Sequence, residues 1–280
     1  MKRLFLKLIE SIFNSLSTNK RFYSFFYFLY LQGLKGMDHG HSYIYPENSG
    51  EYDLLNKVAR FYNGKKIIFF DVGANTGYYS KEVLEIFNHS IDVYCFEPSA
   101  FTFQKLINNL GETVRTFQIA LSNKMGEGTL HSDKDGSGMA SLVDTTFAPP
   151  FGISAPIEEP VVIETLDHFC ELHSVSTIHF LKMDVEGHEY AVLEGAIQKL
   201  QQRSIDFIQF EFGRVNIDSN SPLKKFYKLL SQDYYIYRIT KNGLVPQFDY
   251  NYEYEIYLGT NFIAISRFLD YKKLKTVLEL

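Results

Sequence analysis

The chain has 280 residues, 45% of them hydrophobic, with 28 Lys+Arg against 33 Asp+Glu for a formal charge of −5. This is enough material for one catalytic-sized domain plus an appendage, and it excludes a small disulfide-stapled fold, a disordered acidic tail and, by bulk charge, a nucleic-acid binder. The two cysteines, Cys95 and Cys170, lie in apolar stretches without C-x-x-C spacing, which argues against a disulfide framework or a cysteine zinc site and fits a reducing cytoplasm.

Over residues 1–36 six bases face one acid, Glu10, a local charge of +5 that leaves −10 for the remainder. Leu4, Phe5, Leu8, Ile9, Ile12, Phe13 and Leu16 recur at helical spacing, and 22–31 (FYSFFYFLYL) is an aromatic-rich run. That run is too short to span a bilayer, and Lys7 and Glu10 interrupt the first apolar stretch where a secretory signal would need continuity. Residues 1–50 are therefore expected as a basic, aromatic-rich helical segment ahead of a domain at 51–280. Its apolar face is expected to pack on that domain, as most amphipathic helices do. The alternative is peripheral contact of residues 1–36 with the inner face of a membrane.

From about Tyr52 apolar strand-like runs alternate with helical stretches, the pattern of an α/β domain with a parallel sheet. The runs are 66–71 (KIIFFD), 92–97 (DVYCFE), 114–120 (VRTFQIA), 177–184 (TIHFLKMD), 206–212 (DFIQFEF), 234–239 (YYIYRI) and 262–266 (FIAIS). Helical spacing marks 79–87, 101–110, 166–172, 190–200 and 223–230. The segment 144–160 holds four of the eight prolines and reads as a long irregular loop of the kind that forms lids. Asn242-Gly243 signals a turn before a Tyr-rich connection between the last two strands.

Asp71-Val-Gly-Ala-Asn-Thr-Gly77 follows the first strand and opens a helix, so Gly73 and Gly77 let the backbone turn tightly near a ligand. Glu97 closes the second strand, where an acid can grip both hydroxyls of a ribose. The loop is neither a G-x-G-x-x-G dinucleotide site nor a P-loop, so a pyrophosphate is not its natural guest. The Asp71 carboxylate at the strand's end suits a cationic ligand such as an ammonium or a sulfonium.

These pieces resemble the FkbM family of class I S-adenosylmethionine-dependent methyltransferases, which O-methylate hydroxyls of sugars, polysaccharides or polyketides. The resemblance rests on FDVGANTGYYS (70–80), YCFEPS (94–99), QIALS (118–122), ETLDHF (164–169) and LKMDVEGHEYAVLEGA (181–196), the last being the most specific. It implies a Rossmann-like, mostly parallel seven-stranded sheet with helices on both faces. It also implies that S-adenosylmethionine lies across Asp71, Gly73, Ala74, Asn75, Thr76, Gly77 and Tyr78, with its ribose on Glu97 beside Pro98 and its adenine near Ala120 and Leu121. Asp184 would touch the donor or the acceptor, with Glu186 and Glu189 shaping the acceptor side, and Gly136 to Leu142 resembles the family's acceptor-side loop.

Ligands of an open α/β sheet bind beyond the carboxyl ends of its strands, which directs Asp184 and Glu211 into one cleft. Each of Glu186 and Glu189 serves equally well as a helix-capping or dipole-complementing acid. A sugar hydroxyl ionises too weakly to react unaided, so a base is needed, and Asp184, Glu186, His188 and Glu211 are the candidates. A histidine base would give a limb near the reference value of about 6.5. Asp184 and Glu211 could share one Mg²⁺ or Mn²⁺, but two oxygen donors are too few to expect a metal. The other histidines, including His39 and His41, show no ligand spacing. The leading reading is an O-methyltransferase acting on a sugar or glycan hydroxyl. Its alternatives are a lipid or polyketide acceptor, and a catalytically idle binding module. A nucleic-acid substrate is disfavoured by the acidic domain and the missing N-P-P-Y/F signature.

Overall fold

The computed structural model describes residues 2–17, 19–40, 48–144 and 157–280; His41 and most of the proline-rich segment 144–160 lie outside them. Contacts divide the chain into Met1–His41 and Ser42–Leu280, ahead of the boundary expected at residue 50. In the first unit, α1 (Lys2–Ser17) and α2 (Tyr23–Gly36) are joined by a 3-10 turn, which Asn19 starts by accepting the Arg21 N–H at 3.0 Å. Tyr23, Phe25, Tyr27, Phe28 and Tyr30 of α2 are all exposed. The run is aromatic around the whole helix rather than along one stripe, so packing on one side cannot bury it. Among the described residues no helix is long and apolar enough to cross a membrane.

The second unit runs α3 (Glu51–Tyr62), β1 (Ile67–Val72), α4 (Tyr78–Ile86), β2 (Ile91–Phe96), α5 (Ala100–Leu110), β3 (Arg115–Phe117), β4 (Ala120–Ser122) and β5 (Gly126–Ser132). It continues through β6 (Ile157–Thr165), α6 (Leu166–Leu172), β7 (Ile178–Met183), α7 (Glu189–Glu194), α8 (Ile197–Gln201), β8 (Ile205–Phe212), α9 (Val215–Asp218) and α10 (Leu223–Leu230). The last elements are β9 (Tyr234–Thr240), β10 (Gly243–Pro246), β11 (Thr260–Ser266) and α11 (Tyr271–Leu278).

The main sheet has the order β10-β9-β11-β8-β7-β1-β2-β3, parallel from β8 to β3 and antiparallel across β11, β9 and β10. All seven expected runs contribute to it. The eighth strand, β10, folds back on β9 with Gly243 opposite Thr240, a two-residue hairpin at the Asn242-Gly243 signal. Successive residues face opposite sides: Phe70, Leu181 and Phe210 pack with α6, α7 and α10, whereas Phe69, Phe180 and Phe207 pack with α3, α4, α5 and α11. A sheet covered on both faces is why its strands read as continuous apolar runs. Each fully buried Phe contributes about 1.5–3 kcal/mol of transfer free energy.

Two features depart from the sequence reading. The run 114–120 is divided: β3 stays in the main sheet, and β4 joins β6 and β5 in a separate three-stranded sheet. The helix expected over 190–200 is two helices, because a Cβ at Gly195 would lie 2.0 Å from the Ser122 carbonyl oxygen, so β4 presses its backbone into the break. Strand order reverses between β1 and β7, and the cleft opens at their carboxyl ends.

Candidate active site

Beyond β1 the chain turns back over β2, and the Gly73 and Ala74 N–H groups both donate to the Phe96 carbonyl at 3.0 Å. Gly73 has φ +79°, and a Cβ there would lie 1.9 Å from the Asp184 carbonyl oxygen, so only glycine lets this loop meet the end of β7. Glu97 accepts from the Asn75 N–H through Oε2 and from the Ser99 N–H through Oε1, each at 3.0 Å. Burial nonetheless pushes its carboxyl up to about 7. Held by the two amides, Glu97 borders a cleft of about 320 Å³ whose apolar wall includes Val72, Phe96, Ile119, Ala120, Leu121 and Leu142.

Of the residues expected to hold the donor, Gly73, Asn75, Glu97, Pro98, Ala120, Leu121 and Asp184 line this cleft. Ala74, Thr76, Gly77 and Tyr78 are not among its described lining residues. Gly77 packs against Leu106 and Leu110, the Thr76 carbonyl accepts from Asn109 Nδ2 at 2.8 Å, and Tyr78 is exposed. The expectation that Asp71 meets a cationic ligand needs correction. Its carboxylate is fully buried beneath the cleft, 3.1 Å from Lys182 Nζ, and accepts from Ser80 Oγ at 2.6 Å. The cation that Asp71 balances is the protein's own.

The four base candidates converge. Asp184, Glu186 and His188 follow β7, Glu211 stands near the end of β8, and all four line the cleft. One carboxylate oxygen each from Asp184, Glu186 and Glu211 fall within 4.8 Å of one another. Burial, then the neighbouring Asp184 and Glu189, pushes Glu186 up to about 8. Burial, then Glu186, holds Glu211 well above the usual carboxylate range. Glu186 has φ +52°, a left-handed conformation uncommon for a side chain of its size.

Glu189 turns away from the cleft: its Oε1 accepts the N–H of Val185 at 3.0 Å and of Gly187 at 3.2 Å, closing the turn from β7 into α7. His188 Nε2 hydrogen-bonds Ser122 Oγ at 2.8 Å, and burial lowers its pKa to about 4, so the ring is neutral at pH 7. The limb expected near 6.5 for a histidine base therefore moves to about 4.

Glu51 reaches the cleft without having been foreseen. Glu51, at the start of α3, accepts from Gln209 Nε2 at 2.6 Å, Ser49 Oγ at 2.7 Å and Asn261 Nδ2 at 3.0 Å. An acid in a first helical turn reads as a dipole partner, and nothing local shows that β8 and β11 will supply amides to it. On the opposite side Ser137, Gly138, Ala140, Ser141 and Leu142 line the cleft. The Ser137 carbonyl accepts from Asn75 Nδ2 at 3.3 Å and Ser141 Oγ donates to the Glu186 carbonyl at 2.7 Å, so this loop bridges the glycine loop and the carboxylate turn.

Residues 71–239 match the family model described as the Methyltransferase FkbM domain. The chain is similar to the 2-O-methyltransferase NoeI of Sinorhizobium fredii, 26% identical over 174 residues that cover 58% of this chain and 70% of that protein. It is also similar to the hexuronic acid methyltransferase AglP of Haloferax volcanii, 28% identical over 179 residues that cover 62% of this chain and 65% of the relative. Among solved structures, the precorrin-6y C5,15-methyltransferase of Geobacter metallireducens superposes with a TM-score of 0.39 at 8% identity, over 77% of this chain and 87% of that one.

Proposed function

The chain belongs to the FkbM methyltransferase domain family, and we propose that it is an S-adenosylmethionine-dependent O-methyltransferase acting on a sugar or glycan hydroxyl. The observation that carries this reading is one cleft with two chemically distinct halves. Glu97 and the apolar wall of Phe96, Ile119, Ala120 and Leu121 suit a ribose and a purine, and Asp184, Glu186 and Glu211 stand together at the other end. A volume of about 320 Å³ lies within the range of small-molecule sites. The hexuronic acid in the name of AglP supports a sugar acceptor, and the name 2-O-methyltransferase of NoeI supports transfer to an oxygen.

Bound in this cleft, S-adenosylmethionine supplies an electrophilic methyl group. The chain's own work is alignment, exclusion of water and removal of one proton. The glycine loop and Glu97 fix the donor end. An ionised carboxylate of the Glu186–Glu211 pair takes the hydroxyl proton, and neutral His188, held by Ser122, positions the acceptor. Calorimetry tests the donor end: Glu97→Ala should weaken donor binding by about tenfold or more, whereas the surface variant Glu158→Ala should leave it unchanged. Equal affinities would remove Glu97 from the ribose.

For residues 1–36 the exposed aromatic side chains of α2, together with the local positive charge, support peripheral contact with an anionic lipid surface.

A further inference from the structure

Four polar side chains form a row that ends at the cleft. His188 borders the cleft, and its Nε2 lies 2.8 Å from Ser122 Oγ. Ser122 Oγ lies 3.4 Å from Asn123 Oδ1, and Asn123 Nδ2 lies 3.1 Å from Glu194 Oε2. Backbone packing fixes the middle of the row: Ser122 pairs with Thr165 of β6, and its carbonyl oxygen presses on Gly195, where a Cβ would lie 2.0 Å away. Among the described residues nothing else hydrogen-bonds to Ser122 Oγ or to the His188 ring, and His188 Nδ1 is not sealed from solvent.

The outer end of the row sets the direction of every proton in it. A carboxylate only accepts, so Glu194 turns the NH2 of Asn123 toward itself and leaves Oδ1 toward Ser122. Oδ1 also only accepts, so the single Ser122 hydroxyl proton points to Asn123. Ser122 then offers His188 a lone pair, and Nε2 carries the ring proton. The opposite order, with Ser122 donating to Nε2, would set the lone pairs of Oγ and Oδ1 against each other. Burial lowers the His188 pKa to about 4, so at pH 7 the ring holds one proton and Nδ1 is bare.

Building on the sugar O-methyltransferase reading, we propose that Ser122 and Asn123 are positioning residues that hold His188 as its Nε2–H tautomer, so that Nδ1 accepts a hydrogen bond from a second hydroxyl of the acceptor. The hydroxyl that is methylated gives its one proton to the Glu186–Glu211 pair and has none left for Nδ1. The site therefore takes an acceptor with at least two hydroxyls, which a sugar has and a simple alcohol lacks.

Nitrogen NMR of the full chain, labelled at histidine and held at pH 7, reads the tautomer directly, with His188→Gln to assign the signals. Wild-type His188 should show a protonated Nε2 and an unprotonated Nδ1. Asn123 is exposed, so Asn123→Ala disturbs no core, but it frees the Ser122 hydroxyl to donate to Nε2. It should raise the Nδ1–H fraction by about threefold or more, the scale of one net hydrogen bond. A protonated Nδ1 in wild type, or a tautomer ratio unmoved by Asn123→Ala and by Ser122→Ala alike, would overturn the proposal. The acceptor contact is read on the sugar that receives label from S-adenosylmethionine. One monodeoxy analogue that keeps the methylated hydroxyl should raise KM by about threefold or more with kcat nearly unchanged, and His188→Ala should abolish that penalty. A penalty that persists in His188→Ala, no penalty at any position, or equal labelling of cyclohexanol would overturn it. Failure of the methyltransferase reading itself looks different: the chain would not bind S-adenosylhomocysteine at all, and the spectra would still decide the tautomer.

Discussion

Lys182 keeps 4% of its side chain exposed and stands 3.1 Å from Asp71, whose other oxygen accepts from Ser80 at 2.6 Å. Removing one partner leaves a buried charge uncompensated, which typically costs about 3–5 kcal/mol, whereas removing both charges costs far less. Urea unfolding of Lys182→Met should therefore show a large loss of stability that the double variant Asp71→Asn/Lys182→Met largely restores. Losses that simply add would contradict the pairing. A lysine inside the apolar run 177–184 already announces that some acid must balance it. Which acid does so depends on the parallel register that sets Asp71 opposite Lys182, and register is not written in either strand alone. For the same reason Glu97 was legible from its spacing to the glycine loop, whereas Glu51, whose partners come from β8 and β11, was not.

The turn between β7 and α7 concentrates the chemistry, because Glu189 ties its backbone inward and leaves Glu186 and His188 at the cleft. A base must be unprotonated to act, so raised acid pKa values place the working form on the alkaline side. With a neutral acceptor, kcat/KM should rise with pH through an apparent value of about 8, to which Glu186 is pushed, with Glu211 also held above the usual carboxylate range. Glu186→Gln should shift or remove that limb. A profile flat from pH 6 to 9, or a single limb near 4 abolished by His188→Ala, would transfer the role to the histidine. The doubly covered parallel strands were legible because burial on both faces yields unbroken apolar runs. The small sheet was less so: β6 carries Pro160 opposite Thr129 of β5, and a proline demotes a run as a strand. The break at Gly195 has its cause in Ser122, far away in sequence.

Across the whole molecule the charge is divided, +5 over residues 1–36 and −10 over the rest, so an anionic surface attracts one end and repels the other. Flotation of the full chain should show binding to vesicles containing anionic lipid that fades with salt, and little binding to neutral vesicles. Lys20→Glu/Arg21→Glu should weaken it, and salt-independent association or none at all would leave the aromatic face to another partner. Methyl transfer at the carboxyl ends of β1, β2, β7 and β8 is tested most directly by transfer of labelled methyl from S-adenosylmethionine to a panel of sugars and glycans. Wild type should label a sugar oxygen, and Glu186→Gln/Glu211→Gln should lower turnover by about 10²-fold or more, the usual scale for loss of a group acting in proton transfer. Donor bound by a folded chain with no label on any sugar, or full turnover in that double variant, would contradict it.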